Sequence, residues 1–314
     1  MDEIANAISD LIELQHDLTP VFVPVHAFPP TALEFLRQVH SNQPAVYKAA
    51  ARDWPALDPT SRQTWSKQYL ADKLRDTTVN VSETPFGNAD SVVDGMFVKP
   101  HECEMPFTKF LDALVSENGS VCYMQSQNNN MASEFPDLVV DVEMEVGFAS
   151  EAFGVEPEAV NLWIGSSKST TSLHKDPYEN LHVQILGKKV FKLISPFEHI
   201  AVRETNVQNA TYVKTDTGFT IRPDKGTIPW PIADPDRLDS TEKWHKQCRV
   251  LELTLEPGDM LYLPALWYHK VSQQSDQDGI CCSLNFWYDM DFTGPLWSAA
   301  GFVRQCANVV LSSK

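Results

Sequence analysis

Two short segments that lie far apart in the sequence carry side chains of the types that hold metal ions. In residues 171–176, a single residue separates His174 from Asp176. Side chains at i and i+2 of an extended chain point to the same face, so this imidazole and this carboxylate are expected to converge. Such a pair also occurs by chance in surface turns, and it becomes informative only together with a second segment.

The second segment, residues 258–269, combines a Gly-Asp turn, an apolar run, a proline and the aromatic-flanked His269. Taken alone, His269 would be interpreted as a core histidine bonded to the backbone, because a buried imidazole needs a polar partner. With His174 and Asp176 it would complete a triad of two histidines and one carboxylate. That ligand set favours non-haem Fe(II) and leaves coordination positions open for oxygen chemistry. Since ligation needs neutral histidines and an ionised aspartate, metal affinity is expected to fall at low pH.

The residues around these ligands carry a resemblance to one protein family. Besides the His174-x-Asp176 pair and the distal His269, it rests on residues 161–165, 171–180, 261–267 and 285–290. With this pattern the chain resembles the JmjC (jumonji C) 2-oxoglutarate oxygenases over most of its length. The resemblance implies a mainly β fold with flanking helices, namely a double-stranded β-helix of the jelly-roll or cupin-like type.

The same resemblance divides the chain into a catalytic domain and a C-terminal helix. Residues 1–290 would form the JmjC domain with an N-terminal elaboration of helices and strands, and residues 291–314 a candidate dimerisation helix. Related JmjC hydroxylases dimerise through C-terminal helices, so a homodimer is expected. Packing of this helix inside its own chain is the alternative.

The cosubstrate that the family implies is 2-oxoglutarate, whose far carboxylate needs a cation inside the barrel. Lys189, on the strand after the turn at Gly187, resembles the family's cosubstrate lysine by its spacing from the metal pair. Lys188 is the alternative, because a register slip of one residue exchanges the two faces of a strand. Lys192 fits the spacing less well.

Further residues resemble the family's cosubstrate pocket. Thr171 and Tyr123 resemble the hydroxyl groups that bind the same carboxylate as the lysine, and Asn180 and Asn285 resemble amides that line the pocket. Three aromatic residues are candidates for the substrate cleft, although core packing is the commoner role of such side chains: Trp163, Tyr178 and Trp287.

The activity that the resemblance implies is hydroxylation of a carbon in a lysine side chain of a protein. Demethylation of N-methyl-lysine is the nearest alternative, although nothing in the sequence resembles a chromatin-reading or zinc module. A peptidase is less favoured, because the sequence has neither a G-x-S-x-G nor an H-E-x-x-H motif. A non-catalytic cupin-like binding module is also open, but such a module would not need the triad together with Lys189.

The elements that must position these residues lie mostly in a β-rich second half. Short runs punctuated by Gly and Pro are typical of a sandwich or barrel, and they predict strands over 159–164, 181–186, 189–194, 249–255, 260–263, 267–272 and 280–288. The polar stretch 199–247 is predicted as a long surface insertion between strands. Apolar spacing predicts helices over 2–15, 32–39, 60–74, 106–115 and 292–311, and further strands are predicted over 45–48, 77–82 and 121–125.

Composition narrows the expected partners and location. The 314 residues include 25 Lys and Arg against 42 Asp and Glu, so the net charge is -17. This charge disfavours direct binding to nucleic acid or an anionic membrane, and it is compatible with a basic protein substrate. An acidic start without a targeting segment, short apolar runs and six cysteines without a C-x-x-C pair predict an intracellular protein. The cytoplasm is the expected location, with the nucleus as a second one.

Overall fold

The computed structural model describes residues 2–116 and 119–313. In these ranges the helices are α1 (Asp2–Leu18), α2 (Ala32–Ser41), α3 (Lys67–Lys73), α4 (Phe107–Val115), α5 (Asn130–Ser133), α6 (Gly147–Phe153), α7 (His199–Val202), α8 (Lys243–Gln247) and α9 (Pro295–Leu311), with 3-10 helices at Pro136–Asp141 and Pro196–Glu198. None of these helices has the length and apolar character needed to cross a membrane.

The strands of the first half are β1 (Val25–His26), β2 (Ala45–Tyr47), β3 (Thr78–Thr84), β4 (Ser91–Val93), β5 (Met96–Lys99), β6 (His101–Pro106) and β7 (Val121–Tyr123). Those of the second half are β8 (Ala159–Gly165), β9 (Thr170–His174), β10 (Tyr178–Leu186), β11 (Lys188–Ile194), β12 (Thr205–Thr215), β13 (Gly218–Trp230), β14 (Leu251–Leu255), β15 (Met260–Leu263), β16 (Tyr268–Gln274) and β17 (Cys281–Asp289). Apart from residues 60–74 and 199–247, the predicted helices and strands are confirmed, with ends that differ by about three residues or fewer.

The second half builds a double-stranded β-helix. Apart from β12 and β13, its strands divide between two sheets. One is a six-stranded sheet in the order β1-β2-β15-β10-β17-β8, in which β1 and β2 come from the first half, and the other is a four-stranded sheet in the order β14-β11-β16-β9. Along the chain the strands alternate between these sheets, except that β11 and β14 pair in one sheet, and the pairings among them are antiparallel. This arrangement confirms the mainly β, cupin-like jelly roll with flanking helices.

Strand β10 shows how the sequence leaves polar side chains inside this fold. Its residues Leu181, Val183 and Ile185 are buried in the core that the six-stranded sheet shares with the N-terminal helices. Asn180 and His182 lie between them in sequence and therefore point to the opposite face, where they line a cavity. Each buried aliphatic side chain stabilises the fold by roughly 1.5 to 3 kcal/mol, so the odd-numbered residues fix the register of the strand.

The helix predicted over residues 60–74 is correct only at its end. Helix α3 begins after Ser66, whose Oγ accepts a hydrogen bond from the Tyr69 backbone N–H at 3.1 Å. The preceding residues form turns, in which the Asp58 carboxylate accepts a hydrogen bond from the Thr60 backbone N–H at 2.8 Å. These local side-chain bonds satisfy backbone groups and so compete with helix formation.

The stretch 199–247 differs from the prediction because its centre is not a loop. Strands β12 and β13 form a long hairpin that joins β5 in a sheet of the order β13-β12-β5-β4. Pro223 and Pro229, which favoured a loop assignment, lie on β13, at the edge of that sheet. An edge strand tolerates proline, since a missing N–H there costs no hydrogen bond to a neighbouring strand.

The C-terminal helix packs inside its own chain with one of its faces. Val303 of α9 is buried. Ala307 and Val310, also of α9, belong to the same buried cluster as Ile8 and Ile12 of α1. This contact joins the two ends of the chain and accounts for the apolar stripe that predicted the helix.

Candidate active site

Three potential metal ligands meet between β9 and β16. His174 is the last residue of β9, and its partner across the antiparallel pair is His269 of β16. Asp176 follows two residues after His174, and its Oδ2 lies 3.7 Å from the Nε2 atoms of both histidines. The three ligand atoms lie within 4.8 Å of one another. The structure therefore brings the three residues singled out in the sequence into one cluster.

The backbone fixes the orientation of both imidazoles. His174 Nδ1 lies 2.8 Å from the carbonyl oxygen of Ser172, and His269 Nδ1 lies 3.0 Å from that of Trp267. Because a carbonyl can only accept, Nδ1 donates in both cases, and Nε2 keeps the lone pair that a metal would use. A hydrogen bond of this kind at the second ring nitrogen is the usual support of a metal-bound histidine.

Burial favours the neutral form of His269. Together with the neighbouring His174, burial lowers the pKa of His269 to about 4. The ring centroids of the two histidines are 4.1 Å apart, a distance at which two imidazolium cations would repel each other. The neutral imidazole is also the form that binds a metal ion.

A cavity of about 60 Å³ adjoins this cluster inside the barrel. Lys189 of β11 lines it, is only 2% exposed, and donates a hydrogen bond from Nζ to Tyr123 Oη at 3.4 Å. Burial lowers the pKa of Lys189 to about 8. Thr171 of β9 also lines the cavity and is hydrogen-bonded to Tyr123. One ammonium and two hydroxyl groups therefore meet beside the metal-ligand cluster.

The pleat of β11 separates Lys189 from the other two lysines considered from the sequence. Lys188 points outward, with its Nζ 2.8 Å from Glu256 Oε1. Lys192 also points outward, with its Nζ 3.3 Å from Glu252 Oε2. Of the three, the structure brings Lys189 alone into the cavity.

Two amides form part of the cavity wall. Asn285 Oδ1 accepts a hydrogen bond from Trp163 Nε1 at 2.7 Å, and Asn285 Nδ2 donates to Asn180 Oδ1 at 3.2 Å. Trp163 and Trp287 line the same cavity, whereas Tyr178 stacks on Trp287 with ring centroids 4.7 Å apart. The amide pair holds the wall in place on the side opposite β11 and β16.

Three residues near the cluster were not identified from the sequence. His182 lines the cavity, is 6% exposed, and its Nε2 has no hydrogen-bond partner among the described residues. Asp90, in the loop between β3 and β4, lines the cavity as well. The ring of Trp230, at the end of β13, is parallel to that of His174 with centroids 6.4 Å apart. The i+2 spacing from Asn180 could have predicted that His182 faces the same cavity. Asp90 and Trp230 are brought to the cluster by contacts between distant parts of the chain, which no local pattern predicts.

The fold and the ligand cluster together define a protein of the cupin class. A double-stranded β-helix holds two histidines and one aspartate beside a polar cavity between its two sheets. Residues 30–294 match the family model described as a cupin-like domain. That range includes every residue of the cluster and of the cavity wall described above.

Comparison with curated proteins identifies the family within this class to which the chain belongs. It is 38% identical over 280 residues to the Homo sapiens bifunctional peptidase and (3S)-lysyl hydroxylase JMJD7, covering 87% of this chain and 86% of that protein. It is 33% identical over 282 residues to the Arabidopsis thaliana lysine-specific demethylase JMJ32, covering 84% and 80%. It is 31% identical over 297 residues to the Dictyostelium discoideum JmjC domain-containing protein E, covering 84% and 83%. This chain belongs to the JmjC family of cupin-like proteins, which confirms the family indicated by its motifs.

Proposed function

We propose that this protein is an Fe(II)- and 2-oxoglutarate-dependent hydroxylase that acts on a carbon of a lysine side chain in another protein. The observation that carries the proposal is the metal-ligand cluster of His174, Asp176 and His269 beside a buried cavity that contains Lys189. The human relative is named a (3S)-lysyl hydroxylase, which supports the choice of lysine as the target. The net charge of -17 supports a basic substrate.

The cluster fits ferrous iron. Two imidazole Nε2 atoms with free lone pairs and one carboxylate oxygen form the ligand set of non-haem Fe(II) oxygenases, which keeps further coordination positions open. The carboxylate of Asp176 would balance part of the charge of a divalent cation. His174, Asp176 and His269 would therefore hold the metal.

The cavity fits a dicarboxylate. In the described ranges no Asp or Glu forms an ion pair with Lys189, and its one hydrogen bond goes to Tyr123. A buried ammonium without a counter-ion is costly, and so is the buried Nε2 of His182 without a partner. The far carboxylate of 2-oxoglutarate would meet Lys189, Tyr123 and Thr171, and a bound polar ligand would supply His182 with a partner.

When bound, iron and 2-oxoglutarate supply the chemistry in which dioxygen is consumed, a C–H bond becomes C–OH, and 2-oxoglutarate becomes succinate and carbon dioxide. The protein orients the reacting groups and excludes water. Asn180 and Asn285 hold one wall of the pocket in a fixed position through their hydrogen bond. Apolar side chains cover other parts of the cavity and keep water from it, namely Phe191, Leu263 and Val271.

N-methyl-lysine demethylation is the second candidate, since the Arabidopsis relative is named a lysine-specific demethylase. It would use the same ligand cluster and cosubstrate, so the product distinguishes the two reactions. The name of the human relative also includes a peptidase, and such an activity would produce shortened peptides.

The test uses a peptide library in which one fixed lysine, methylated or not, stands between randomised residues. The full-length protein is incubated with Fe(II), 2-oxoglutarate and air, and the products are analysed by mass spectrometry. We expect succinate and a gain of one oxygen atom on unmethylated lysine, and both should be lost in His174→Ala. Loss of a methyl group alone would identify a demethylase. Peptide fragments without succinate would identify a peptidase and overturn the proposal.

We also propose that the protein works in the cytoplasm, with the nucleus as a second location. All six cysteines, which lie within the described ranges, are free thiols. Free thiols persist in reducing compartments, where ferrous iron is also maintained. Microscopy of the fluorescently tagged full-length protein would test this location. Fluorescence in the secretory pathway or outside the cell would contradict it.

A further inference from the structure

We propose that the carboxylate of Asp90 binds the side-chain ammonium of the target lysine, and so selects the substrate, an assignment that rests on the proposed function. Asp90 lies where the cavity beside the metal-ligand cluster adjoins a second, open groove. Asp176, the acidic residue identified from the sequence, lines the cavity but not the groove.

The groove has a volume of about 230 Å³ and is formed by residues of β3, by the turn between β5 and β6, and by the segment after β7. Three residues line both the groove and the cavity, namely Asp90, Gln125 and Gln127. Because the two spaces share these side chains, a chain lying in the groove could extend one side chain past Asp90 toward the cluster. Glu102 also lines the groove and adds to its negative charge.

Asp90 forms no ion pair with a cationic side chain of the described residues. Its Oδ2 accepts a hydrogen bond from Gln125 Nε2 at 3.2 Å. Lys99 lines the same groove, but its Nζ lies 3.2 Å from Asp224 Oδ2. Burial raises the pKa of Asp90 above its ordinary value, and the nearby His174 and Lys99 offset this effect only in part.

The loop that carries Asp90 is fixed to the strand that carries the first metal ligand. The Gly87 carbonyl accepts a hydrogen bond from the Thr170 backbone N–H at 2.8 Å, at the start of β9. A side chain at Gly87 would collide with the Lys168 carbonyl oxygen, 1.9 Å from the site of a Cβ. Asp90 itself has φ +53°, a left-handed conformation that Asp tolerates and that often occurs at functional sites. Asp90 is therefore held in a defined position relative to His174.

A primary ammonium fits this position better than a guanidinium does. One oxygen of Asp90 already accepts from Gln125, so the two-oxygen fork that arginine prefers is not free. The ammonium of lysine is a compact charge with three donors at the end of a flexible four-carbon stem. It could donate to Asp90 Oδ1 and to the side-chain carbonyls of Gln125 and Gln127.

The test compares lysine with norleucine, which keeps the carbon stem and lacks the ammonium. The best-hydroxylated peptide from the library is made in both forms, and binding is measured on full-length protein loaded with Mn(II) and 2-oxoglutarate without oxygen. We expect the wild type to bind the lysine form about 10- to 100-fold more tightly, and Asp90→Asn to bring this ratio close to one. Asn suits the positive φ and can still accept from Gln125, so the variant removes charge alone.

The matched control is Asp94→Asn. Asp94 is exposed, has φ +49°, and lies in the turn between β4 and β5, outside both the groove and the cavity. This variant should keep the wild-type preference for lysine. Succinate formation without peptide should also be unchanged in Asp94→Asn, because Asp94 lies outside both spaces.

The outcomes separate this inference from the proposed function. If the wild type hydroxylates lysine and Asp90→Asn keeps the full preference over norleucine, Asp90 is not the ammonium site and the proposed function stands. If peptide-free succinate formation is lost in Asp90→Asn, the residue serves the metal site and the inference is wrong. If no lysine peptide is bound or hydroxylated by the wild type, the proposed function fails and the inference fails with it. Asp90→Gly, which also suits the positive φ, replaces the first variant if that one does not fold.

Discussion

His174 and His269 lie directly opposite each other on the antiparallel strands β9 and β16. Val271, two residues after His269, pairs with Thr171, three residues before His174, so β9 contains one extra residue in this interval. Such a bulge changes the direction in which a strand presents its side chains. It explains how Thr171 and His174, which strict alternation would place on opposite faces, both reach the same cavity.

Replacing either histidine by alanine should weaken metal binding. Only two ligands of the cluster would remain, and we expect the affinity for Mn(II), a redox-stable substitute for Fe(II), to fall at least ~100-fold. Isothermal titration calorimetry of the full-length protein measures this effect directly. His40→Ala, which removes an exposed histidine of α2, is the matched control and should bind like the wild type. Equal affinities in all variants would place the metal elsewhere.

The same bulge shows which site residues can be placed by sequence alternation alone and which cannot. Alternation along an extended chain correctly pairs His174 with Asp176, but it cannot place Thr171 beside them. That residue was identified only through its family resemblance. Alternation likewise left Lys188 and Lys189 open, because the choice depends on the register of β11 against its neighbours, which puts Lys189 opposite Leu255 and Gln273.

Long-range pairing sets the limit of the sequence prediction. The strands of a sandwich or barrel could be predicted, since they are short, regular and separated by glycine and proline, whereas their jelly-roll arrangement was implied by the family resemblance. The hairpin of β12 and β13 was missed, because prolines on an edge strand look like loop residues when the neighbouring strands are unknown. No local sequence pattern indicates that Asp90 or Trp230 belongs to the site. Both lie beside it because the first-half strands and this hairpin pack against the barrel.

Lys189→Ala should weaken the binding of 2-oxoglutarate strongly, whereas Lys188→Ala should not. Lys189 is the buried cation of the cavity, and loss of a charge-assisted contact with a carboxylate typically costs ~2 to 5 kcal/mol, or roughly 30- to 5,000-fold in affinity. Lys188 is the matched control, because it is the adjacent lysine but pairs with Glu256 at the surface. Calorimetry with Mn(II)-loaded protein decides between them. Weaker binding in Lys188→Ala alone would mean that β11 has the other register.

The affinity for 2-oxoglutarate should fall as the pH rises above the pKa of Lys189. Burial lowers that pKa to about 8, so the free protein loses the ammonium at a pH where an exposed lysine would still be charged. The bound carboxylate favours the protonated form and raises the pKa in the complex, so binding takes up a proton above about pH 8. We expect the affinity to decline by up to roughly tenfold per pH unit beyond that point.

Titrations from about pH 7 to about pH 9 would show this decline, with Lys189→Arg as the comparison. A guanidinium stays protonated throughout this range, so any binding by the arginine variant should vary less with pH. A wild-type affinity that is constant across the range would show that Lys189 keeps its proton, or that it does not contact the cosubstrate.

Asp141→Ala should destabilise the fold strongly. Asp141 is fully buried and accepts hydrogen bonds from Gln63 Nε2 at 2.8 Å, Trp65 Nε1 at 3.0 Å and Tyr69 Oη at 2.8 Å. Its removal leaves these donors without an acceptor, and we expect the free energy of unfolding to fall by about 3 to 5 kcal/mol. Urea denaturation measures the change. Asp137→Ala, at an exposed position of the same 3-10 helix, should stay within ~0.5 kcal/mol of the wild type.

The expected homodimer would have to use the outer face of α9, because the inner face is already buried against α1. Phe302 is 68% exposed, and Val309, which is seven residues further along the helix, is also exposed on the same side. Exposed apolar side chains at this spacing are typical of a surface that pairs with another helix.

Phe302→Asp should therefore weaken the dimer by a factor of about 100 or more, since it would bury an unpaired charge. Leu33→Asp, at a 60% exposed position of α2, is the control and should leave the mass in solution unchanged. Light scattering at micromolar concentration measures these masses. A monomeric wild type would show that α9 packs only within its own chain.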